Sequence, residues 1–455
     1  MADPQSPGAA LKRDPNFQWL MRGGAVSALG DQLTMIALPW LVLKLTGDTV
    51  ALGLVIALMS IPRAVFILIG GALVDRHSPK RVLMLTKYVN AVLLALLTLL
   101  VLNISAMPTV DLNASLSLTV VVTPQLALQV IYVLAFGLGL AQAFAMPSGM
   151  SIMPLAIAPE HLQAANGMMM GLRQVTMLVG PLLAAGLLAI SGSGHATGAV
   201  SDARGLALAF GFDCLSYLFS AWTLAKVTLR PAAANADTGG QAAAPASALQ
   251  SVLRSVGAGL RMVWDDVPMR LCFIYWGTVS LFIGGAMQVA IPVLASTLHG
   301  ASALGIIMGM HGAGTLLGMG VAAKLGQRLR FASFGTVILS ADAIAGVLLA
   351  PLGMVHAVWQ ASTLMLALGL LTGYIQIRVF TWIQQRVPPH MMGRAMSIFM
   401  FIFMGLAPLS AAATGWILTQ VTLSQLFLGG GIILVLFAAS AYLFTPIRSI
   451  TANAS

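Results

Sequence analysis

The chain has 455 residues, 58% of them hydrophobic and 8% charged, with a mean hydropathy of +0.92. So little polar material cannot cover a water-facing surface of ordinary size, so lipid must be the solvent for most of the chain. The net charge of +10 would suit a nucleic-acid binder or a membrane protein with basic cytosolic loops, and the placement of the charges decides between them.

A polar segment, residues 1–16 with Lys12 and Arg13, precedes a first apolar stretch from Phe17 to Lys44. That stretch exceeds a signal-peptide core of roughly 7–15 residues and no small-residue cleavage site follows, so it is read as a retained span. Crossing about 30 Å of hydrocarbon takes about 20 helical residues, and only internally bonded backbone is tolerated there. Five further stretches in the first half meet this requirement: Ala51 to Val74, Val82 to Ser105, Pro124 to Met146, Asn166 to Ile190 and Gly205 to Ala225. From Pro231 to Ala248 the chain is rich in Ala, with Gly239, Gly240 and Pro245, which predicts a flexible cytosolic linker. Leu249 to Trp264, with Arg254 and Arg261 at helical spacing, predicts an amphipathic helix along the inner interface. Six more spans follow, at Pro268 to Ser296, Ser302 to Ala323, Phe331 to Pro351, Ala357 to Gln384, Ala395 to Thr419 and Gln425 to Phe444.

The expected fold is therefore an all-α membrane protein of twelve transmembrane helices in two six-helix bundles, residues 17–227 and 268–446. A cytosolic linker, 228–267, joins them, and 447–455 form a cytosolic tail. With both termini in the cytosol, Lys12, Arg76, Lys80, Arg81, Arg254, Lys324, Arg328, Arg330 and Arg394 face inward, while only Lys44 and Arg204 face the periplasm. Arg63, Arg173 and Arg378 stay within spans, and every remaining Lys and Arg, Lys87 included, counts on the cytosolic side. This bias accounts for the net charge without nucleic acid. Cys214 and Cys272 sit in apolar stretches and offer neither a disulfide framework nor a metal cluster.

The halves resemble each other. Pro159, His161 and Leu162 before the fifth span answer Pro388, His390 and Met391 before the eleventh, and Pro181-Leu-Leu-Ala-Ala answers Pro408-Leu-Ser-Ala-Ala. Such a duplication implies two bundles about a central path, with substrate near the midplane.

The loop after the second span reads Gly71-Ala-Leu-Val-Asp75-Arg76-His77-Ser78-Pro79-Lys80-Arg81 and resembles the signature loop of the major facilitator superfamily. Ser78 and Pro79 depart from the family pattern, and the matching loop of the second half, Gly320 to Lys324, replaces the acid with Lys. The resemblance implies a conformational gate with Lys80 and Arg81 as the basic pair; physically, Asp75 beside Arg76 can cap and latch the N-terminus of the eleventh span near Gly393 and Arg394, against the plainer reading of a positive-inside anchor with a helix-capping acid. Gly171, Gly180-Pro181 and Gly186 in the fifth span resemble the antiporter motif of the same superfamily, where Pro and Gly together permit a bend and close helix approach. Ala37-Leu-Pro-Trp-Leu-Val, Gly211-Phe-Asp213-Cys-Leu-Ser216-Tyr and Gly259-Leu-Arg261 resemble its macrolide-efflux and enterobactin-exporter branch. The fourth span lacks the embedded Arg of many proton-driven members and offers Gln142 as its strong polar group.

Ionisable residues inside the hydrocarbon are costly enough to be functional candidates. Asp31, mid-way along the first span, is the leading candidate to carry a proton, against the plainer reading of a packing hydrogen bond. Asp213 and Asp342 are expected to be structural. Arg63 and Arg173 could pair with Asp31 or recognise an anion, Arg378 could snorkel, and His311 is a titratable or packing residue. Tyr275, Trp276, Gln288, Tyr374 and Gln376 are candidate cavity liners, and the 26 Met, among them Met168, Met170, Met177 and Met308, suit an adaptable apolar site. No phosphate-cradling loop and no His/Glu metal pair is present, so ATP-driven pumping, catalysis and a cofactor are not supported. The resemblance implies a secondary-active exporter of amphipathic, drug- or macrolide-like molecules in the inner membrane, a monomer working by proton antiport. The alternative is an exporter of an anionic metabolite such as a siderophore.

Overall fold

The computed structural model describes residue 11 and residues 13–76, 78–106, 123–191, 203–229, 257–298, 300–325, 333–387 and 391–451. Twelve long apolar helices run through these residues, with no strand among them. In the first half they are α1 (Pro15–Thr46), α2 (Thr49–Arg76), α3 (Pro79–Ala106), α4 (Pro124–Ala156), α5 (Leu162–Ser191) and α6 (Ala203–Lys226). In the second half they are α7 (Val267–Leu298), α8 (Ala301–Leu325), α9 (Phe334–Leu349, prolonged by the 3₁₀ turn Ala350–Met354), α10 (Val358–Arg386), α11 (Met392–Met400 continuing to Ala407–Ile417) and α12 (Leu423–Phe444). Eleven are long and apolar enough to cross a membrane, and α2 contributes a shorter apolar stretch, Thr49–Arg63, so the chain is a multi-pass membrane protein.

Local chemistry fixes several helix ends. Asp14 caps α1 by accepting from the amides of Asn16 (2.8 Å) and Phe17 (3.2 Å), and Asp266 caps α7 by accepting from Met269 N at 3.0 Å. Thr422 and Gln425 form a reciprocal capping box on α12. Gly47, at φ 62°, closes α1 in the left-handed region. Against expectation, α4 does not stop at Met146 but runs through Pro147 and Pro154 to Ala156. Ser148 Oγ donates to Phe144 O at 2.8 Å and Ser151 Oγ to Pro147 O at 3.0 Å, occupying carbonyls in the stretch the prolines interrupt. Where an interfacial helix is expected, residues 257–265 are helical, with Leu260 and Trp264 exposed; its expected start, from Leu249, lies outside the described residues.

The chain divides into two compact units, Met1–Asp48 with Leu58–Pro245, and Thr49–Ala57 with Ala246–Ser455. In the first, α6 packs on α1 and α3. The α1–α6 seam is a row of small residues: a β-carbon at Gly23 would collide with Thr223, and one at Gly30 with Asp213 and Ser216. Without a hydrophobic drive between helices in lipid, such close approach is what gives dispersion and hydrogen bonding their range. In the second unit, Gly314 and Gly318 of α8 lie on the carbonyls of Leu366 and Leu370, while Gly369 and Gly373 of α10 lie on those of His311 and Thr315. The two backbones are in mutual contact. Around α7, α10 and α11 an aromatic core forms, with Trp382 stacked on Phe334 (centroids 4.8 Å) and edge-on to Trp276 (6.2 Å).

Candidate functional site

The α1–α6 seam carries the ionisable residues of the first unit. Tyr217 Oη donates to Asp31 Oδ1 at 2.6 Å. Three residues further along α1, Thr34 Oγ1 donates to Asp213 Oδ2 at 2.5 Å, and Ser216 Oγ donates to the other carboxylate oxygen at 3.0 Å. Asp213 is 1% exposed. Asp31 thus turns to α6, and its carboxylate belongs to a side-chain cluster inside the first unit.

Lys87 completes the cluster. The count of basic residues puts it with the cytosolic charges, near the start of its span, yet its ammonium lies 5.4 Å from the Tyr217 ring centroid and its charge acts on both Asp31 and Asp213. A buried ammonium there is offset by the charges of the two carboxylates and by the aromatic face. Its signal in the sequence is that two acids within spans, Asp31 and Asp213, call for a cation at similar depth. One turn on, Asn90 is fully buried, its Nδ2 donating to Thr86 O at 2.9 Å.

A second polar group joins α2, α4 and α5. Gly139 of α4 rests on the carbonyl of Met59, and this close crossing sets Arg63 Nη1 3.1 Å from Gln142 Oε1, to which it donates. The charges of Arg173 and Asp31 both act on Arg63. Arg173 is exposed on α5 beside Met170 and Met177, which are exposed too. In the antiporter-like motif, Gly180 packs against the side chain of Gln32 on α1 and Pro181 is buried, whereas Gly171 and Gly186 face open space.

In the second unit, Tyr275 Oη donates to Asp342 Oδ2 at 2.9 Å, and Trp276 is enclosed by Trp382 and Phe399. Both aromatic residues are core members of α7, at 8% and 5% exposure, not free cavity faces, because the Tyr275 hydroxyl finds Asp342 on α9 and the Trp276 ring finds Trp382 on α10 and Phe399 on α11. Gln288 and Gln376 are half-buried. His311 Nδ1, Tyr374 Oη and Arg378 Nε are buried atoms without a hydrogen-bond partner, all on the α8–α10 pair. Of the loop after α2, expected to act as a gate, Lys80 Nζ donates to Val227 O at 2.7 Å and to Ala225 O at 3.2 Å, tying α3 to the end of α6, and Arg81 is exposed. The side chains of Asp75, Arg76 and Arg394 and the surroundings of Gly71 lie outside the described residues.

A family model described as Major Facilitator Superfamily matches residues 20–412. The enterobactin exporter EntS of Citrobacter koseri is 23% identical over 385 residues, covering 84% of this chain and 80% of that one. An uncharacterised transporter of the same type, y4rN of Sinorhizobium fredii, is 25% identical over 298 residues, 65% of this chain and 67% of its own length. Among solved structures, a bacterial homologue of the iron transporter ferroportin in its inward-facing state superposes with a TM-score of 0.67 at 14% identity, covering 93% of this chain and 98% of that one. A D-xylose-proton symporter gives 0.67 at 17% identity over 96% and 100%.

Proposed function

The chain belongs to the Major Facilitator Superfamily, and from that premise we propose that it is a secondary-active exporter of amphipathic small molecules, coupled to protons through Asp31. The observation that carries this reading is the buried α1–α3–α6 cluster. A proton taken by Asp31 neutralises the anion to which Tyr217 donates and which Lys87 balances, so each proton bound or released changes the cluster's charge by one. Alternating access then lets that proton enter from one side and leave to the other while the substrate moves oppositely. Export as the direction is supported by the likeness to the enterobactin exporter, and cytosolic termini in an inner membrane by the distribution of basic residues. Asp75, Arg76 and Arg394 are the proposed gate.

A second reading, an anionic substrate, is favoured by the group at Arg63, Gln142 and Arg173. Arg63 makes its hydrogen bond to a neutral amide, and a second guanidinium lies within reach of its charge, an arrangement suited to a carboxylate or catecholate. Both readings are tested in inside-out vesicles under an imposed pH gradient, with a cationic dye and a catecholate compared. Efflux of either that ignores the gradient removes the coupling. Preference for the anion, lost in Arg63→Gln, selects the second reading.

A further inference from the structure

Two helices of the second unit leave the α-helical ladder at matched places. In α7, residues Ser280–Gly284 form a π-turn, and in α11 residues Phe401–Gly405 form another. A π-turn inserts one residue into the ladder and upsets the pairing of a backbone group near it. In α11 the insertion has a local cause, since Pro408 cannot donate to the carbonyl four residues earlier and its ring crowds it. The two turns serve each other. Ser280 Oγ donates to the carbonyl of Ile402, inside the α11 turn, at 2.9 Å, and Ser410 Oγ accepts from the amide of Gly285, the residue that follows the α7 turn, at 3.0 Å. All four groups are buried.

The surroundings differ on the two sides. Ahead of the turns, Cys272 and Trp276 of α7 and Ala395 and Phe399 of α11 share one aromatic core with Trp382, and Ile402 is its last buried member on α11. At the turns' far end, Gly285 lies directly on the α11 backbone, where a β-carbon would strike Ala411 N and Ala407 O. The first unit lacks this arrangement among its described residues. There α1 and α5 run as α-helix throughout, and Leu183 stands in the repeat where the second half has Ser410.

We propose that the two π-turns are one hinge, with Ser280 and Ser410 as its catch, so that α7 and α11 bend only together. The proposal rests on the chain working as an alternating-access transporter, and adds to it which helices flex in the second unit and what holds them between strokes. Two bistable ladders joined by reciprocal hydrogen bonds switch as a pair, since shifting one turn alone would strand a buried carbonyl or amide on the other.

The test uses the full chain in liposomes with Cys214→Ser, so that Cys272, 2% exposed on α7, is the one thiol. Its maleimide labelling rate reports opening of the core ahead of the hinge. Ser280→Ala and Ser410→Ala should each raise that rate about tenfold, and the double variant no further, because either deletion releases the same catch. Ser280→Thr, which keeps the hydroxyl, should return the rate to within about twofold of the parent. Unchanged rates in all three alanine variants, or a double variant whose effect is the product of the singles, overturns the proposal. Since no substrate or gradient enters this measurement, failure of the efflux experiment with an intact labelling response refutes the transport reading alone.

Discussion

Gly30→Ala concentrates much of the argument for the α1–α6 seam in a single methyl group. The new β-carbon would lie against Asp213 Oδ1 and Ser216 Oγ, so α1 must move off α6 or both side chains must swing away. Overpacking of this kind costs about 1–3 kcal/mol. Displacing Asp213 also strains its bonds from Thr34 and Ser216, each worth about 0.6 kcal/mol on average between membrane helices. The sum is about 2–4 kcal/mol, and at roughly 2–4 °C per kcal/mol for a domain of 150–250 residues the melting temperature should fall by about 4–15 °C. The assay is thermal unfolding of the detergent-purified chain, followed by loss of the monodisperse peak. Gly171→Ala is the internal control: it has nothing within 4 Å, and replacing a helical Gly with Ala gains about 0.5–1 kcal/mol, so it should melt level with or slightly above the parent. Equal melting temperatures for Gly30→Ala and Gly171→Ala would refute the claim that α1 and α6 are held at backbone contact around Asp213.

Other expectations follow from the same geometry. Asp31→Asn should remove pH-gradient-driven efflux by at least about tenfold while the purified protein still melts cooperatively, and retained coupling sinks Asp31 as the proton carrier. Lys87→Met keeps the stem but leaves Asp31 and Asp213 without their common cation; a loss of about 2 kcal/mol or more, partly recovered by adding Asp213→Asn, is the result that a lysine merely reaching the headgroups would not give. Trp382→Ala opens the aromatic core where Phe334 and Trp276 meet and should cost about 3–5 kcal/mol in the same melting assay. Gly369→Leu must push α10 off the His311 carbonyl, and should yield no stable monodisperse protein, while Gly320→Ala, facing open space, should be tolerated.

Most of the architecture was legible because lipid leaves a chain so few choices. A stretch of about 20 apolar residues has to be a helix there, and each of the twelve expected stretches falls on a helix among the described residues, eleven of them at full spanning length. What hydropathy cannot read is which way a helix face turns. Position along α1 singles out Asp31, but only packing reveals that it meets Tyr217 on α6; likewise Tyr275 and Trp276 have the composition of a binding wall and the position of a core. Lys87 is harder to read, because nearness to the start of a span does not reveal a tyrosine ring and two carboxylate charges on the neighbouring helices. Pro147 reads as a stop, yet α4 runs past it, with serine hydroxyls on nearby carbonyls. The π-turns have still less of a signature, a proline downstream in one helix and a Gly pair in the other.

The end of the second unit carries a consequence for biosynthesis. After α12, the short turn Pro446–Ser449 brings the chain back to the start of α9, where the Arg448 carbonyl accepts from the hydroxyls of Ser333 and Thr336, the latter 112 residues away, and the Ile450 carbonyl accepts from the amide of Gly335. Those donors lie in the first turn of a helix that leaves the ribosome long before its acceptors are made. Until residues 446–450 emerge, the Gly335 amide and the Ser333 and Thr336 hydroxyls at the start of α9 lack these acceptors, so the second unit is sealed late, and a ribosome stalled short of Pro446 would hold a bundle whose ninth helix is formed but unfastened.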